Sequence, residues 1–396
     1  MTTRAVLVSA RRTPIGRFLG GLRDLPAAAL GAAAARAALA DAGVTPGEVD
    51  EALFGHGRQA GNGPNTGRQA AIRAGLPETV PAWTVNKACG SGLQAILTGA
   101  ERIALGEARI VLAGGMEAMS RTPFMLPRMR EGYRLGHAEF QDGMYLDGFL
   151  CPISNLLMGQ TAEKLARLKG IGRAEQDEFS AGSQNKCEAA RKAGRFVDEI
   201  VPVDGKGADG KPAVISADEH PRDGVTTASL AKLPPVFEKD GSVHAGNSSG
   251  ITDGAAAVVL MAEDEAKRRG LKPLARLVAG TTAGVDPSLM GIGPVPALRK
   301  LFERTGGGAD RFDLIELNEA FAAQVLACHK DLPLPMDRVN VNGGAIALGH
   351  PIGATGARIV VTLLHEMRRR GARKGLATLC ISGGMGMAVA FEADQG

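Results

Sequence analysis

Net charge is almost absent from this sequence: 46 basic residues stand against 42 acidic ones over 396 positions, leaving +4. An excess that small and scattered excludes the broad basic surface that nucleic acid requires. An anionic small ligand needs only a few local Arg side chains and backbone N–H groups. Cysteine is also scarce: Cys89, Cys151, Cys187, Cys328 and Cys380 are widely spaced, odd in number and without a C-x-x-C pair. That spacing excludes a disulfide framework or a zinc ribbon and points to a reducing, cytoplasmic compartment where thiols stay reactive. The seven His show no ligand spacing with Cys or carboxylates, so no metal and no resident cofactor is expected. Long apolar runs are missing too. The Ala-rich stretch 27–43 is broken by Arg36 and Asp41, so it reads as a helix and no membrane span is expected. Asp24 is its expected N-cap, with Pro26 in the first turn and Gly43 as terminator. The start of the chain reads as a strand running into Arg11-Arg12-Thr13-Pro14, so no signal peptide is expected.

What is present is α/β patterning. A chain of this length suggests two or three domains. In its first third, strands are expected at 5–9, 51–54, 82–86 and 109–113. A helix over 90–106 buries Leu93, Ile96, Leu97, Ala100 and Ile103 on one face. In the last third, strands are expected at 274–278, 314–317, 338–341 and 375–381, and helices at 297–304, 319–329 and 353–370. The two thirds resemble each other. Each has a Val-Asn pair (Val85-Asn86, Val341-Asn342), a Gly-rich turn, a helix, and a strand ending in Gly-Gly-Met (Gly114-Gly115-Met116, Gly383-Gly384-Met385). This reads as an internal duplication of one α/β unit, with two copies meeting about a pseudo-twofold axis at a shared crevice. The middle, about 119–247, breaks the pattern with short charged helices at 161–168 and 173–193 and a turn-rich stretch at 203–212. It reads as an insertion crossing over the first unit.

Three Gly-rich segments carry the chemistry. Cys89 sits where a strand gives way to a helix, and the unpaired N–H groups of a helix N-terminus favour a thiolate there. A buried, inert cysteine is the competing reading. Gly90-Ser91-Gly92-Leu93-Gln94-Ala95 also fits the G-x-G-x-x-A dinucleotide fingerprint, but it follows the third strand rather than the first, and that motif has no use for Cys89. His350, in Gly349-His350-Pro351-Ile352-Gly353, occupies in the second unit a turn comparable to that of Cys89 in the first. Across the crevice its imidazole is placed to hold Cys89 as thiolate and to donate to an oxyanion. Cys380 ends the last core strand before Ser382-Gly383-Gly384, at the strand edge where α/β proteins build sites. Asn318-Glu319 follows the strand at 314–317 and opens a helix, so Asn318 is either an N-cap or a ligand for a water or carbonyl.

These segments, with Arg11-Arg12-Thr13-Pro14-Ile15-Gly16, Ala113-Gly114-Gly115-Met116-Glu117, Gly246-Asn247-Ser248-Ser249-Gly250, Asp253-Gly254-Ala255-Ala256 and Asn340-Val341-Asn342-Gly343-Gly344-Ala345, resemble the thiolase family over essentially the whole chain. The resemblance implies an α/β thiolase fold, two duplicated units packed as a five-layer αβαβα core. Residues 1–118 with 248–270 would form the N-terminal unit, 119–247 an inserted loop domain that holds coenzyme A, and 271–396 the C-terminal unit. It implies an acyltransferase acting on acetyl-CoA, 3-ketoacyl-CoA and CoA, working as a homodimer or homotetramer. Cys89 would take the acyl group, His350 would activate Cys89, and Cys380 would move the proton at the α-carbon. One oxyanion hole would combine His350 with a water on Asn318, the other the backbone N–H groups of Cys89 and Ser382. Arg222 and Ser229 would lie near the nucleotide, Ser249 near the pantetheine, and Met158, Met290, Ala320 and Phe321 along the acyl end. Ser382 and Leu157 depart from the family pattern, which often has Gly at the first position and His or Pro at the second. A decarboxylating ketoacyl synthase would use a second His where Asn318-Glu319 stands and would not need Cys380. An inactive CoA-binding scaffold would not need all three reactive side chains.

Overall fold

The computed structural model describes residues 3–393. In the first unit the strands are β1 (Ala5–Arg12), β2 (Glu51–Gly55), β3 (Ala82–Val85), β4 (Ile110–Ala118) and β5 (Thr252–Ala262). In the second they are β6 (Ala275–Gly284), β7 (Leu314–Leu317), β8 (Lys374–Ile381) and β9 (Met385–Glu392). The helices are α1 (Ala27–Asp41), α2 (Thr66–Arg73), α3 (Ser91–Ala104), α4 (Met158–Lys169), α5 (Arg173–Lys192), α6 (Pro294–Thr305), α7 (Ala322–Asp331) and α8 (Ile352–Arg370).

The strands join in one sheet in the order β7-β8-β9-β6-β1-β5-β4-β2-β3. Within each unit the order is the same: first strand, last strand, next to last, then second. The halves meet edge to edge through a short antiparallel pairing, Val6 with Arg276 and Leu7 with Ala275. Twist then lets the two halves face each other across α3 and α8. One apolar core holds Leu93 and Ile96 of α3, Ile359 and Leu363 of α8, Val258 and Leu260 of β5, and Leu379 and Val389 of β8 and β9. Separate cores lie outside, one under α1 and α2 and one under α6 and α7. The result is the five-layer arrangement. Where α3 crosses α8, a Cβ on Gly92 would lie 2.8 Å from the Ala357 nitrogen, and one on Gly356 2.3 Å from the Leu93 nitrogen. This reciprocal contact brings the two helix N-termini, one from each unit, into one place.

Leu93, Ile96, Ala100 and Ile103 are buried as the helical spacing requires, and Leu97 is half-buried. Other expectations need correction. The strand expected at 338–341 is a single bridge between Val339 and Ile315. There the Asn340 side chain takes the place of a ladder, accepting from the Leu317 N–H at 2.9 Å and donating to the Leu317 carbonyl at 2.8 Å. The helix expected from residue 319 starts at Ala322, because the preceding backbone is hydrogen-bonded sideways instead. Ala320 O accepts from Ser249 N and Ala322 N donates to Asn247 O. Asn318 is therefore not an N-cap. Nor is Asp24: Pro26 occupies the capping position of α1, and Asp24 pairs with Lys206. The turn-rich stretch at 203–212 forms a hairpin, Val203–Lys206 against Pro212–Ile215. The insertion touches both units. Its helices α4 and α5 pack on α7 and on the short helix Ala345–Leu348 of the second. It is tied to the first unit as well: buried Arg12 of β1 reaches Glu199 at 2.7 Å and Asp218 at 2.7 Å, and backbone bonds run from Val201 N to Arg12 O and from Glu219 N to Ile15 O. Among the described residues no helix is long and apolar enough to cross a membrane.

Candidate active site

Cys89 sits in the turn between β3 and α3. Side chains hold that turn: Asn86 Oδ1 accepts from Ala88 N at 3.1 Å, and Ser91 Oγ accepts from Lys87 N at 2.8 Å and donates to Ala88 O at 2.6 Å. Ala88 adopts a positive φ of 45°, a left-handed residue that these bonds stabilise. The thiol is buried but faces the cavity. Burial pushes its pKa up, and the N–H groups of Ser382 and of Cys89 itself, with the Arg58 charge, only partly offset this. The helix terminus therefore does not produce a resting thiolate: desolvation outweighs it. The free enzyme should accordingly be alkylated by iodoacetamide at a rate that rises about tenfold per pH unit from pH 7 to 9, because the thiolate fraction grows by that factor below the thiol pKa. A rate already level at pH 7 would mean a resting thiolate–imidazolium pair.

His350 follows Gly349, whose φ of 97° makes the turn into α8. Its N–H donates to Gly250 O at 3.0 Å. Nδ1 lies 2.6 Å from Thr355 Oγ1, and that hydroxyl donates its only proton to Pro351 O at 2.9 Å. Nδ1 must therefore be the donor, which leaves the lone pair on Nε2. Burial, helped by the charges of Arg358 and Arg58, pushes the imidazole pKa down to about 3. At neutral pH the resting pair is a thiol and a neutral imidazole, not the ion pair expected from sequence. Thr355→Val should lower the acylation rate of Cys89 about tenfold, the kinetic equivalent of losing one buried hydrogen bond that fixes the tautomer. Stopped-flow measurement of the acylation phase checks it, and an unchanged rate would show that the tautomer needs no such partner.

Cys380, the penultimate residue of β8, lies among Met290, Ala320 and Phe321. Burial and the neighbouring Cys89 raise its pKa well above the ordinary thiol range. Ser382 replaces glycine without strain, since the positive φ values of this turn fall on Gly383 and Gly384. Its N–H still points at the Cys89 thiol. Asn318 is fully buried behind the cavity wall, and neither its Oδ1 nor its Nδ2 has a hydrogen-bond partner among the described residues. Glu319, beside it, turns inward and accepts from Ser183 Oγ, Asn340 Nδ2 and Ile346 N. It ties the loop before His350 to α5.

A single cavity of about 590 Å³ gathers Cys89, His350, Cys380 and Ser382 with Arg222, Ser249, Met158, Met290, Ala320 and Phe321. Leu157, the second departure, also lines it. Of the expected site residues, Asn318 and Ser229 do not form its wall. Ser229 is exposed, its Oγ donating to Thr226 O and its N–H to Thr226 Oγ1. Sequence reasoning passed over Arg58, His220 and the segment Tyr145–Phe149, all of which line the cavity. The Gly-rich stretch from Gly57 to Gly63 directly after β2 is the signal that marks Arg58. Glu117, at the end of β4, is fully buried: it accepts from Gly57 N and Gly353 N and lies 3.1 Å from His56 Nε2, so it pins the start of α8 to the first unit. Among the described residues no group of His, Cys, Asp and Glu is arranged to hold a metal ion.

A duplicated α/β fold with a buried thiol and an imidazole on twin helix N-termini, and a second thiol in the same cavity, defines a cysteine-dependent acyl-transfer enzyme. Family models agree: residues 5–264 match "Thiolase, N-terminal domain" and residues 271–393 "Thiolase, C-terminal domain". The chain belongs to the thiolase family. It is 52% identical over 392 residues to an acetyl-CoA acetyltransferase of Allochromatium vinosum, covering 99% of this chain and 100% of the relative. It is 53% identical over 390 residues to one of Cupriavidus necator, covering 98% and 99%. Among solved structures, the human mitochondrial 3-ketoacyl-CoA thiolase superposes with a TM-score of 0.96 at 42% identity, covering 99% of each chain.

Proposed function

We propose that the chain catalyses the reversible thiolytic cleavage of 3-ketoacyl-CoA by CoA, and in reverse the Claisen condensation of two acetyl-CoA molecules, with Cys89 carrying the acyl group. The observation that carries this reading is the meeting of Cys89, His350 and Cys380 in one largely apolar cavity. The names of the relatives and a solved human thiolase in complex with CoA (42% identical, TM-score 0.95) support it.

In cleavage, Cys89 Sγ attacks the 3-keto carbon while its proton passes to Nε2 of His350. An imidazolium, unfavourable in the resting site, becomes favourable beside the new oxyanion. The C2–C3 bond then breaks, and its electron pair leaves as the acetyl-CoA enolate. Cys380 protonates C2; a thiol whose pKa is raised holds its proton for that step. The proton held on His350 passes to the Cys380 thiolate, which restores both groups. CoA then attacks the Cys89 thioester while giving its proton to the neutral His350, and as the intermediate collapses His350 returns that proton to the departing Cys89 sulfur. The orphaned amide of Asn318 suits a water that would serve one oxyanion hole with His350, and the N–H groups of Cys89 and Ser382 suit the other. Arg222 and Ser249 would take parts of the CoA; Ser229 would contact only its outermost portion. Loss of acetoacetyl-CoA absorbance on adding CoA tests the reading. A protein that binds CoA but cleaves nothing would overturn it.

The free state of all five cysteines supports a reducing, cytoplasmic location. The edge strand β3 with half-exposed Trp83, and the exposed Phe124, Leu135 and Phe140, support a homodimer or homotetramer. Light scattering decides the assembly.

A further inference from the structure

Arg58 is buried, 3% exposed, in the wall of the catalytic cavity. Its Nη1 donates to Met144 O at 3.0 Å. Its Nε and Nη2 are buried and have no hydrogen-bond partner, and no carboxylate pairs with it among the described residues. The acids nearby are otherwise engaged or apart. Glu117 is committed to His56, to the backbone N–H groups of Gly57 and Gly353, and to Arg58's own N–H. Asp147 lines the cavity but forms no ion pair with the guanidinium. A buried guanidinium with free donors is costly unless something pairs with it. One face of this guanidinium is covered by the Phe149 ring, 4.5 Å away. An acceptor therefore meets its edge, where Nε and Nη2 form the two-pronged fork that matches a carboxylate. Asn86 of the Cys89 turn donates to Gly57 O at 3.0 Å, and the N–H groups of Arg58 and of Gly353, at the start of α8, share the Glu117 carboxylate, which puts Arg58 beside the turns that carry Cys89 and His350.

We infer that Arg58 is a specificity-determining residue that receives the terminal carboxylate of dicarboxylic 3-oxoacyl-CoA substrates. The inference rests on the thiolase reading of the site. It accounts for a charged side chain kept where an acyl chain without a polar end would favour an apolar wall.

The test compares thiolysis of matched pairs that differ only in the terminal group: 3-oxoadipyl-CoA against 3-oxohexanoyl-CoA, and 3-oxosuberyl-CoA against 3-oxooctanoyl-CoA. The full-length protein should prefer the diacid at least about tenfold in kcat/KM in one pair. Arg58→Leu should reverse that preference, and Arg58→Lys should retain part of it. Each is read as a ratio within one preparation, so partial misfolding cancels, and the wild-type ratio stands if a variant fails to fold. Neutral chains preferred in both pairs, or a ratio unmoved by Arg58→Leu, would overturn the inference and show that Arg58 only anchors the segment at Met144–Phe149. Acetoacetyl-CoA is the control: cleaved without any diacid preference, it defeats this inference alone; not cleaved at all, it defeats the thiolase reading.

Discussion

Cys89→Ser should leave no detectable acyl-enzyme and lower thiolysis by at least about a thousandfold. Serine fits the site, because the change exchanges one atom, so the effect is chemical. In the proposed mechanism the base that takes its proton is the His350 imidazole, whose pKa burial pushes down to about 3. That group is matched to a thiol whose proton is lost as the carbonyl is attacked; a serine hydroxyl, several units less acidic, lies out of its reach. Intact-protein mass spectrometry after mixing with acetyl-CoA reads the result. A serine acylated at the wild-type rate would remove Cys89 from the mechanism.

Cys380→Ser separates the two halves of the reaction. Acylation of Cys89 by acetyl-CoA, followed as exchange of labelled CoA, should stay within about an order of magnitude of wild type, since the proposed mechanism assigns that proton to His350 alone. Acetoacetyl-CoA cleavage should fall by at least about a thousandfold, because the enolate loses the proton donor we propose for it and a hydroxyl is a far weaker acid than a thiol. Cys380 lies at the bottom of an apolar pocket, beside Met290 and Phe321. Water is poorly placed to substitute there. Equal loss of exchange and cleavage would show that the two thiols do not divide the labour.

Much of this was legible because the duplicated unit announces itself twice. Alternation of apolar strands with helical spacing marks β1 to β4 and β7 to β8 within a few residues, but the twin Gly-Gly-Met signals are not equivalent: Gly114-Gly115-Met116 lie inside β4, whereas Gly383 and Gly384 form the turn from β8 to β9. Cys89, His350 and Cys380 stood out because each interrupts a Gly-rich turn at a strand or helix end. The strand expected at 338–341 failed for a local reason: Asn340 satisfies the edge of β7 with its side chain, so no ladder is required. The helix expected from Glu319 failed for a distant one. Its carboxylate and the backbone around it bond to residues in α5 and in the loop before β5, more than 60 positions away, and local propensity carries no trace of that competition.

The residue types and their turns, and hence the family and its thiol chemistry, were set by the sequence alone, because strand and helix periods and turn residues are local properties of the chain. The protonation states were decided by tertiary structure. Only packing removes Cys89 and His350 from water, and desolvation is the largest influence on both, turning an expected thiolate–imidazolium pair into a neutral one. Packing alone also brings Arg58, from the loop after β2, into the cavity that the second unit completes, with two donors still unclaimed.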